Sequence, residues 1–338
     1  MDWVIASMCL SPRVRALPWA LGLLLSAAEA AMPGLTGEEV RQLRLDAVNL
    51  INADRATFGL AAVELDDRAT KVGDLFCEAA LAQDIRGHFL TDGLSPFLRY
   101  AFWGNGTDYT GQNACSTFGM TRAEWDYESV LEVLRRYQVM MMSERPPADW
   151  HRRNILNPWH THVGIGLAWG PTGVRMSQDF VNRYVAVNEI ATDQPLDATP
   201  LFAGRILEPE RFELAGITVF FEDPPRELSV VDAHARMSYS PPAERRHLRV
   251  QLPPGQFYTD TRSRGDVVVR EDGTFGCRLR FWQGRPGIYG VAVRLRPIGT
   301  TGVDDQFYTT YVCLRVYPPR GEDRADGPRS PLALPGQS

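Results

Sequence analysis

Between residues 36 and 57 the apolar positions Val40, Leu43, Ala47, Leu50 and Ile51 recur every three or four residues, the stripe that one buried face of an α-helix requires. Thr36 and Glu39 add a capping box, in which each side chain satisfies a backbone N–H that the first turn leaves free. Phe58-Gly59-Leu60 ends this helix. A second stripe, Val72, Leu75, Phe76 and Ala79, follows a cap at Asp66 or Asp67 and runs to about Arg86. Gly87 stops it and leaves His88 just beyond the helix end. The stretch 94–101 reads as a short helix opened by Ser95-Pro96, because proline is tolerated in a first turn. A longer helix is expected over 122–142, with Trp125, Val130, Leu131, Leu134, Gln138 and Met141 inside and Glu124, Glu128 and Glu132 in water.

The period then changes from helical to two. Residues 163–168 and 174–180 alternate around Gly170-Pro171-Thr172-Gly173, so helices followed by a late hairpin predict an α+β domain. Residues 188–203 shift to an Asp/Thr/Pro mixture and read as a linker. Beyond it, strand patterns fall at 214–221, 228–231, 267–269, 275–281, 288–294 and 309–317, separated by turns such as Asp223-Pro224-Pro225 and Arg285-Pro286-Gly287. Short strands without a helix-length pattern predict an antiparallel β-sandwich of immunoglobulin-like size over 204–317. The Pro/Gly/Asp/Ser-rich tail 318–338 is expected to be disordered.

Arg13 and Arg15 precede an apolar run over 17–25 and the small-x-small site Ala28-Glu29-Ala30, which predicts a cleaved signal over 1–30, with Met8 as an alternative start. That run is short for a membrane span and nothing later supplies one, so the mature chain is expected to be secreted or periplasmic. Cys9 leaves with the signal. The remaining Cys77, Cys115, Cys277 and Cys313 are even in number, which in an oxidising compartment predicts one disulfide per half. Three pairings exist, and Cys77–Cys115 with Cys277–Cys313 is the simplest. A net charge of -5 across 338 residues argues against a nucleic-acid partner.

The candidate chemistry lies in the first half. His88 stands at a helix end, and His151 opens the segment His151-Arg152-Arg153-Asn154-Ile155-Leu156-Asn157-Pro158, so the two imidazoles can share a polar pocket. Leu50-Ile51-Asn52-Ala53-Asp54-Arg55, Leu65-Asp66, Asp92-Gly93, Ser95-Pro96, Arg99, Gly111-Gln112-Asn113, Gly164-Ile165-Gly166 and Gln178-Asp179-Phe180 accompany them in order. Through these residues the region 36–187 resembles the CAP domain (cysteine-rich secretory protein, antigen 5, pathogenesis-related 1), also called SCP, in its bacterial form. The resemblance implies an α-β-α sandwich, usually extracellular and often disulfide-bonded, with a cleft of two histidines and two acids that binds a divalent metal in some members.

His88 and His151 match the two histidines. The family's first acid sits in Gly-Glu-Asn, where this chain has Gln112; the second falls at Ser143, with Glu144 one residue away. A glutamine keeps shape and hydrogen bonds but takes no proton at neutral pH and adds no charge to hold a cation. His88 and His151 remain possible ligands for Zn²⁺ or another divalent ion, and His160 and His162 either complete such a site or sit on the surface. One of Arg152 and Arg153 pairs with an acid such as Asp149 or packs under the preceding helix, and the other faces solvent. Ser143 and Ser177 lack a nucleophile elbow. Trp103, Tyr109, Phe118 and Trp159 either line an apolar groove or fill the core.

Three functions stay open. The leading one is an exported binding or interaction module with a degenerate His-centred cleft. The second is a metal-assisted hydrolase or peptidase using His88, His151, Gln112 and Glu144, with Glu144 as a displaced acid. The third is a binder of apolar, lipid-like ligands. The partners these allow are an extracellular protein, a peptide, a glycan or a lipid, and Arg236, Tyr239, Arg245, Arg246 and Tyr258 of the second half are candidate contacts.

Overall fold

The computed structural model describes residues 34–117 and 124–319. The predicted signal, Met8, Cys9, Phe118 and the tail beyond 319 lie outside the described residues.

Helix α1 (Gly37–Thr57) starts at Thr36, whose hydroxyl accepts from the Glu39 N–H at 3.3 Å while the Glu39 carboxylate accepts from the Thr36 N–H at 2.7 Å. Helix α2 (Asp67–Ala82) is capped by Asp66, which accepts from the Ala69 N–H at 2.7 Å. Short helix α3 (Pro96–Gly104) is capped by Ser95. Helix α4 (Tyr127–Ser143) begins later than 122, because Asp126 and Ser129 form its capping box; Trp125 precedes it, buried, and donates its Nε1–H to the Gly170 carbonyl at 2.9 Å. A single-turn-and-a-half helix, α5 (Trp150–Ile155), carries His151.

These helices surround a four-stranded sheet of β1 (Glu64–Leu65), β2 (Tyr109–Ser116), β3 (His162–Gly170) and β4 (Gly173–Val181), in the order β1-β3-β4-β2. Only the β1–β3 pair is parallel. Alternation along β3 sorts its two faces. Ile165, Leu167 and Trp169 join Leu43 and Ile51 of α1 and Leu134 of α4 in one buried cluster. Ala168 joins Val72 and Phe76 of α2 and Leu98 of α3 in another, and Gly164 and Gly166 on that same face let the α2 backbone lie directly against the strand.

The second half holds β5 (Val185–Val187), β6 (Asp193–Pro195), β7 (Leu201–Ile206), β8 (Phe212–Glu222), helix α6 (Val230–Ala235), β9 (Arg245–Leu248), β10 (Val268–Val269), β11 (Thr274–Arg278), β12 (Gly287–Pro297), β13 (Phe307–Tyr308) and β14 (Val312–Tyr317). One sheet runs β10-β11-β7-β5 and the other β6-β14-β12-β8-β9, with β13 beside β12. Phe202 and Phe275 from the first and Ile217, Val219, Tyr289 and Val291 from the second share one apolar cluster. Pairing is antiparallel except for β6 against β14. Strands β6 and the start of β7 lie within 188–203. Residues 228–231 enter α6 rather than a strand, because Ser229 accepts from the Asp232 N–H at 3.1 Å and caps a helical turn there.

The two halves share buried surface. Phe220, Ile288, Ala292, Tyr311 and Cys313, on the alternate positions of β8, β12 and β14 and just before β14, join the α2 and α3 cluster. Burial on both faces explains the nearly continuous apolar runs of β8 and β12. Main-chain bonds cross as well: Leu228 N–H to the Thr91 carbonyl at 2.8 Å, and Tyr311 N–H to the Thr107 carbonyl at 2.7 Å.

The expected disulfides are absent. Cys77, Cys115, Cys277 and Cys313 are free, buried thiols. Cys77 lies in the α2/α3 cluster and Cys115 in the cluster on the opposite face of the first sheet. Cys277 lies between the two sheets of the second half, and Cys313 faces outward from them toward α2 and α3. Each expected pair is therefore divided by a β-sheet, and two thiols on opposite faces of a sheet do not meet bonding geometry. No helix among the described residues is long and apolar enough to cross a membrane.

Candidate functional site

Past α2 the chain turns at Gly87 and presents His88. The loop is held from below by Arg99 of α3, 1% exposed, which donates to the His88 carbonyl at 2.5 Å and to the Leu94 carbonyl at 2.8 Å, with its guanidinium 4.4 Å from the Phe76 ring centroid. On β2, Gln112 stands directly across the sheet from Asp179 of β4. Its Nε2 donates to Asp179 Oδ1 at 2.9 Å, which turns its Oε1 toward His88 Nδ1 at 3.0 Å. An amide oxygen only accepts, so His88 Nδ1 carries the proton and the Nε2 lone pair is left for the cleft. Burial lowers the His88 pKa to about 4, against the raising effect of the Gln112 bond, and the ring is neutral at neutral pH.

Asp179 anchors this chain of bonds. Its Oδ2 accepts from Ser177 Oγ at 2.6 Å and its Oδ1 also from the Tyr109 hydroxyl at 3.3 Å. Burial raises its pKa to about 6, opposed by the bonds from Ser177 and Gln112. Ser177 is thus committed to a carboxylate beneath the sheet and has no imidazole beside it.

His151 is set by a different carboxylate. Asp149 precedes α5 but makes no side-chain capping bond. Glu144, just past α4, does so instead: its Oε2 accepts from the His151 N–H at 2.9 Å and the Arg152 N–H at 3.3 Å, while its Oε1 meets His151 Nδ1 at 2.5 Å. One glutamate therefore caps the short helix and fixes the imidazole. The nearby Ser143 folds its hydroxyl back onto the Met140 carbonyl at 2.7 Å, so the acid lies one residue beyond the expected position. The His88 and His151 ring centroids are 6.5 Å apart with planes tilted by 33°.

The remaining predicted residues divide clearly. Asn154 donates to Asn113 Oδ1 at 3.1 Å and its own Oδ1 lies 3.1 Å from His160 Nε2; Asn113 in turn donates to the His151 carbonyl at 3.2 Å. His160 is buried, stacked 4.5 Å from the Phe180 ring, with its pKa lowered to about 3 by burial. His162 sits beside Thr161 at 2.8 Å. Arg153 pairs with Asp149 at 3.5 Å, and Arg152 lies over the Phe58 ring. Trp103 is buried against α2, and Trp159 stacks on Phe307 at 4.1 Å. Of the described groove aromatics Trp103, Tyr109 and Trp159, only Tyr109 lines the cleft.

The opposite wall comes from the second half. Tyr239 stands edge-on to His88 at 4.7 Å between ring centroids. Its hydroxyl donates to the Gln112 carbonyl at 3.1 Å and accepts from the Gln112 N–H. The resulting cleft holds about 560 Å³, between His88, Gln112 and His151 on one side and Phe220, Tyr239 and Tyr311 on the other. Trp150, 69% exposed, stands at its rim. Sequence reasoning missed Asp179 as a site residue, and it named Tyr239 only as a candidate contact of the second half, not as a wall of the histidine cleft. The first is the single acid of β4, and only the strand register puts it behind Gln112; the second lies in a non-periodic segment that does not reveal which surface it meets.

These residues do not fit a resident zinc ion. Two imidazoles need a third protein ligand. Gln112 is neutral and already bonded on both amide atoms, Glu144 is spent on His151 and two N–H groups, and no three metal-binding side chains converge among the described residues.

No protein-family model and no curated protein sequence matches the chain. Solved structures give partial likenesses. An extracellular SCP-domain protein of Bacillus anthracis aligns at 18% identity over 45% of this chain and 45% of its own, with a TM-score of 0.32. The CAP domain of enterococcal PrgA aligns at 15% over 47% of this chain and 69% of its own, with a TM-score of 0.35. An outer surface protein of Borrelia burgdorferi aligns at 14% over 45% of this chain and 99% of its own, with a TM-score of 0.33. This chain thus spans under half the length of the first of these proteins, and each likeness is confined to part of this chain.

Proposed function

We propose that the chain is an exported, secreted or periplasmic binding module. In this reading 36–187 is a CAP-type α-β-α sandwich, 204–317 is a two-sheet sandwich docked onto it, and the cleft between them is the ligand site. The observation that carries the reading is the contact of Tyr239 with His88 and with both main-chain polar groups of Gln112. It makes the second half a wall of the histidine cleft rather than an appendage.

The cleft suits recognition. Two imidazoles with Nδ1 tied down offer Nε2 to a ligand, and the Tyr239, Tyr311 and Phe220 rings offer apolar and aromatic contact. This matches a peptide, a glycan or a lipid-like molecule with a polar end. Turnover is disfavoured because Gln112 cannot accept a proton where an acid would stand, and Asp179 lies behind it, bonded to Ser177 and Gln112. The alternative, a hydrolase in which Glu144 and His151 act as a base pair, draws on their 2.5 Å contact. Full-length mature protein supplied with Zn²⁺, assayed on casein and on p-nitrophenyl acetate, separates the two. The binding reading predicts equal background rates for wild type and His88→Ala. A reproducible rate abolished in His88→Ala and in Glu144→Gln overturns it.

A further inference from the structure

A second cavity of about 500 Å³ lies wholly within the second half, far along the chain from the histidines, at the mouth between its two sheets. Strand β9 is the edge of its sheet, and its register sets Leu248 opposite Ile217 and Arg246 opposite Val219. Ile217, Val219 and Leu248 belong to the buried cluster between the sheets, so Arg246 occupies an inward position of the edge strand. Arg278 and Arg280, which alternate with the inward Cys277, Leu279 and Phe281, reach the rim of the same cavity from the other sheet.

These three guanidiniums stand out in an acidic chain. The Arg246 and Arg280 side chains make no ion pair or hydrogen bond among the described residues, and Arg278 reaches only the Thr199 carbonyl at 3.1 Å. Every other lining group but one is uncharged, and that one, Asp266, accepts from the Arg249 N–H at 3.2 Å. Trp282 also lines the cavity, and its Nε1–H meets no acceptor. The buried Trp282 N–H lacks an acceptor and the solvent-exposed arginines beside it lack a counter-charge, and a ligand with anionic oxygens supplies both. The floor is apolar, from Val219 and Leu248, and the size is that of a small-molecule site.

We propose that this mouth binds a single-headed anionic amphiphile: an acyl-chain anion whose carboxylate sits among Arg246, Arg278 and Arg280 and whose chain covers Val219 and Leu248. The site is separate from the histidine cleft and does not depend on that cleft's function. The three arginines are exposed at the surface, so their replacement leaves folding intact.

The test is calorimetric titration of the mature full chain with decanoate, decanol and inorganic phosphate. Decanoate is expected to saturate a single site, with decanol and phosphate each about 10-fold or more weaker, because each lacks one half of the recognition. Arg246→Gln alone is expected to weaken decanoate about 10-fold, and the triple variant R246Q/R278Q/R280Q to abolish saturation at an unchanged melting temperature. His151→Ala is expected to leave decanoate affinity as it is. Equal binding of decanol and decanoate, equal binding of phosphate and decanoate, an unaffected triple variant, or loss of decanoate binding in His151→Ala each overturns the proposal.

Discussion

Arg55→Ala is expected to destabilise the protein by on the order of 4 kcal/mol, measured as a shift of the urea midpoint at unchanged slope. Arg55 is fully buried at 0% exposure near the end of α1. Its Nε donates to the Ala61 carbonyl at 2.8 Å, its Nη1 to the carbonyls of Ile155 at 2.7 Å and Asn157 at 2.9 Å, and its Nη2 to that of His160 at 3.4 Å. The carbonyls of Ile155, Asn157 and His160 close α5 and lead into β3, so one guanidinium ties the first helix to the segment that carries His151. Deleting it strands several buried acceptors, each costing about 1–3 kcal/mol unless water enters. Arg55→Lys should recover only part of the loss, because a point ammonium cannot span the fork. A loss under about 1 kcal/mol in Arg55→Ala contradicts this role.

Gly166→Ala should cost about 3 kcal/mol or more, at the upper end of overpacking effects, since neither partner is a flexible side chain. An added Cβ on Gly166 would lie 2.2 Å from the Gly73 carbonyl carbon of α2 and 2.5 Å from its Cα. Helix α2 would have to lift from β3, and packed interiors yield little to such a push. The contrast is Gly59→Ala, at φ +68 with nothing within 4 Å of the new atom, where only the left-handed backbone cost of about 1–2 kcal/mol applies. Equal losses at the two positions, or the reverse order, would show that α2 does not rest on the strand backbone.

Much of the first half was legible because its signals are local. Thr36/Glu39 and Asp66 cap the helices they were expected to cap, and the stripes of α1 and α2 face buried clusters. Features that depend on which layer an element joins were not legible. Parity of four cysteines says nothing about which face of a sheet each occupies, and alternation placed the members of each expected pair in different cores. Ser143 and Glu144 are adjacent at a helix end, where pattern cannot decide which side chain turns toward the next helix; the unsatisfied first N–H groups of α5 decide it for Glu144. Gln112 looked like the loss of an acid, yet Asp179 stands directly behind it across the β2–β4 pair, a proximity that only the strand register reveals. Tyr239 is the extreme case, because its partners lie more than a hundred residues earlier in the chain.

The central claim is that the second half forms a wall of the histidine cleft and buries His88. Burial is the main cause of the low His88 pKa, and Tyr239 covers the ring. With the folded value near 4 and the unfolded value at the ordinary 6.5, acid protonates the unfolded chain first; His88 thus contributes stability that is full above 6.5 and is lost as pH falls toward 4. Opening the wall with Tyr239→Ala admits water to the ring and narrows that window. The direct measurement is a long-range ¹⁵N–¹H imidazole titration of the mature full chain and its Tyr239→Ala variant. In the wild type His88 should be neutral at pH 6, protonated on Nδ1, and should titrate near 4. In Tyr239→Ala its titration should move up toward 6.5 with the rest of the spectrum preserved. A wild-type His88 titrating near 6.5, or one whose low value survives the loss of Tyr239 unchanged, would contradict the claim.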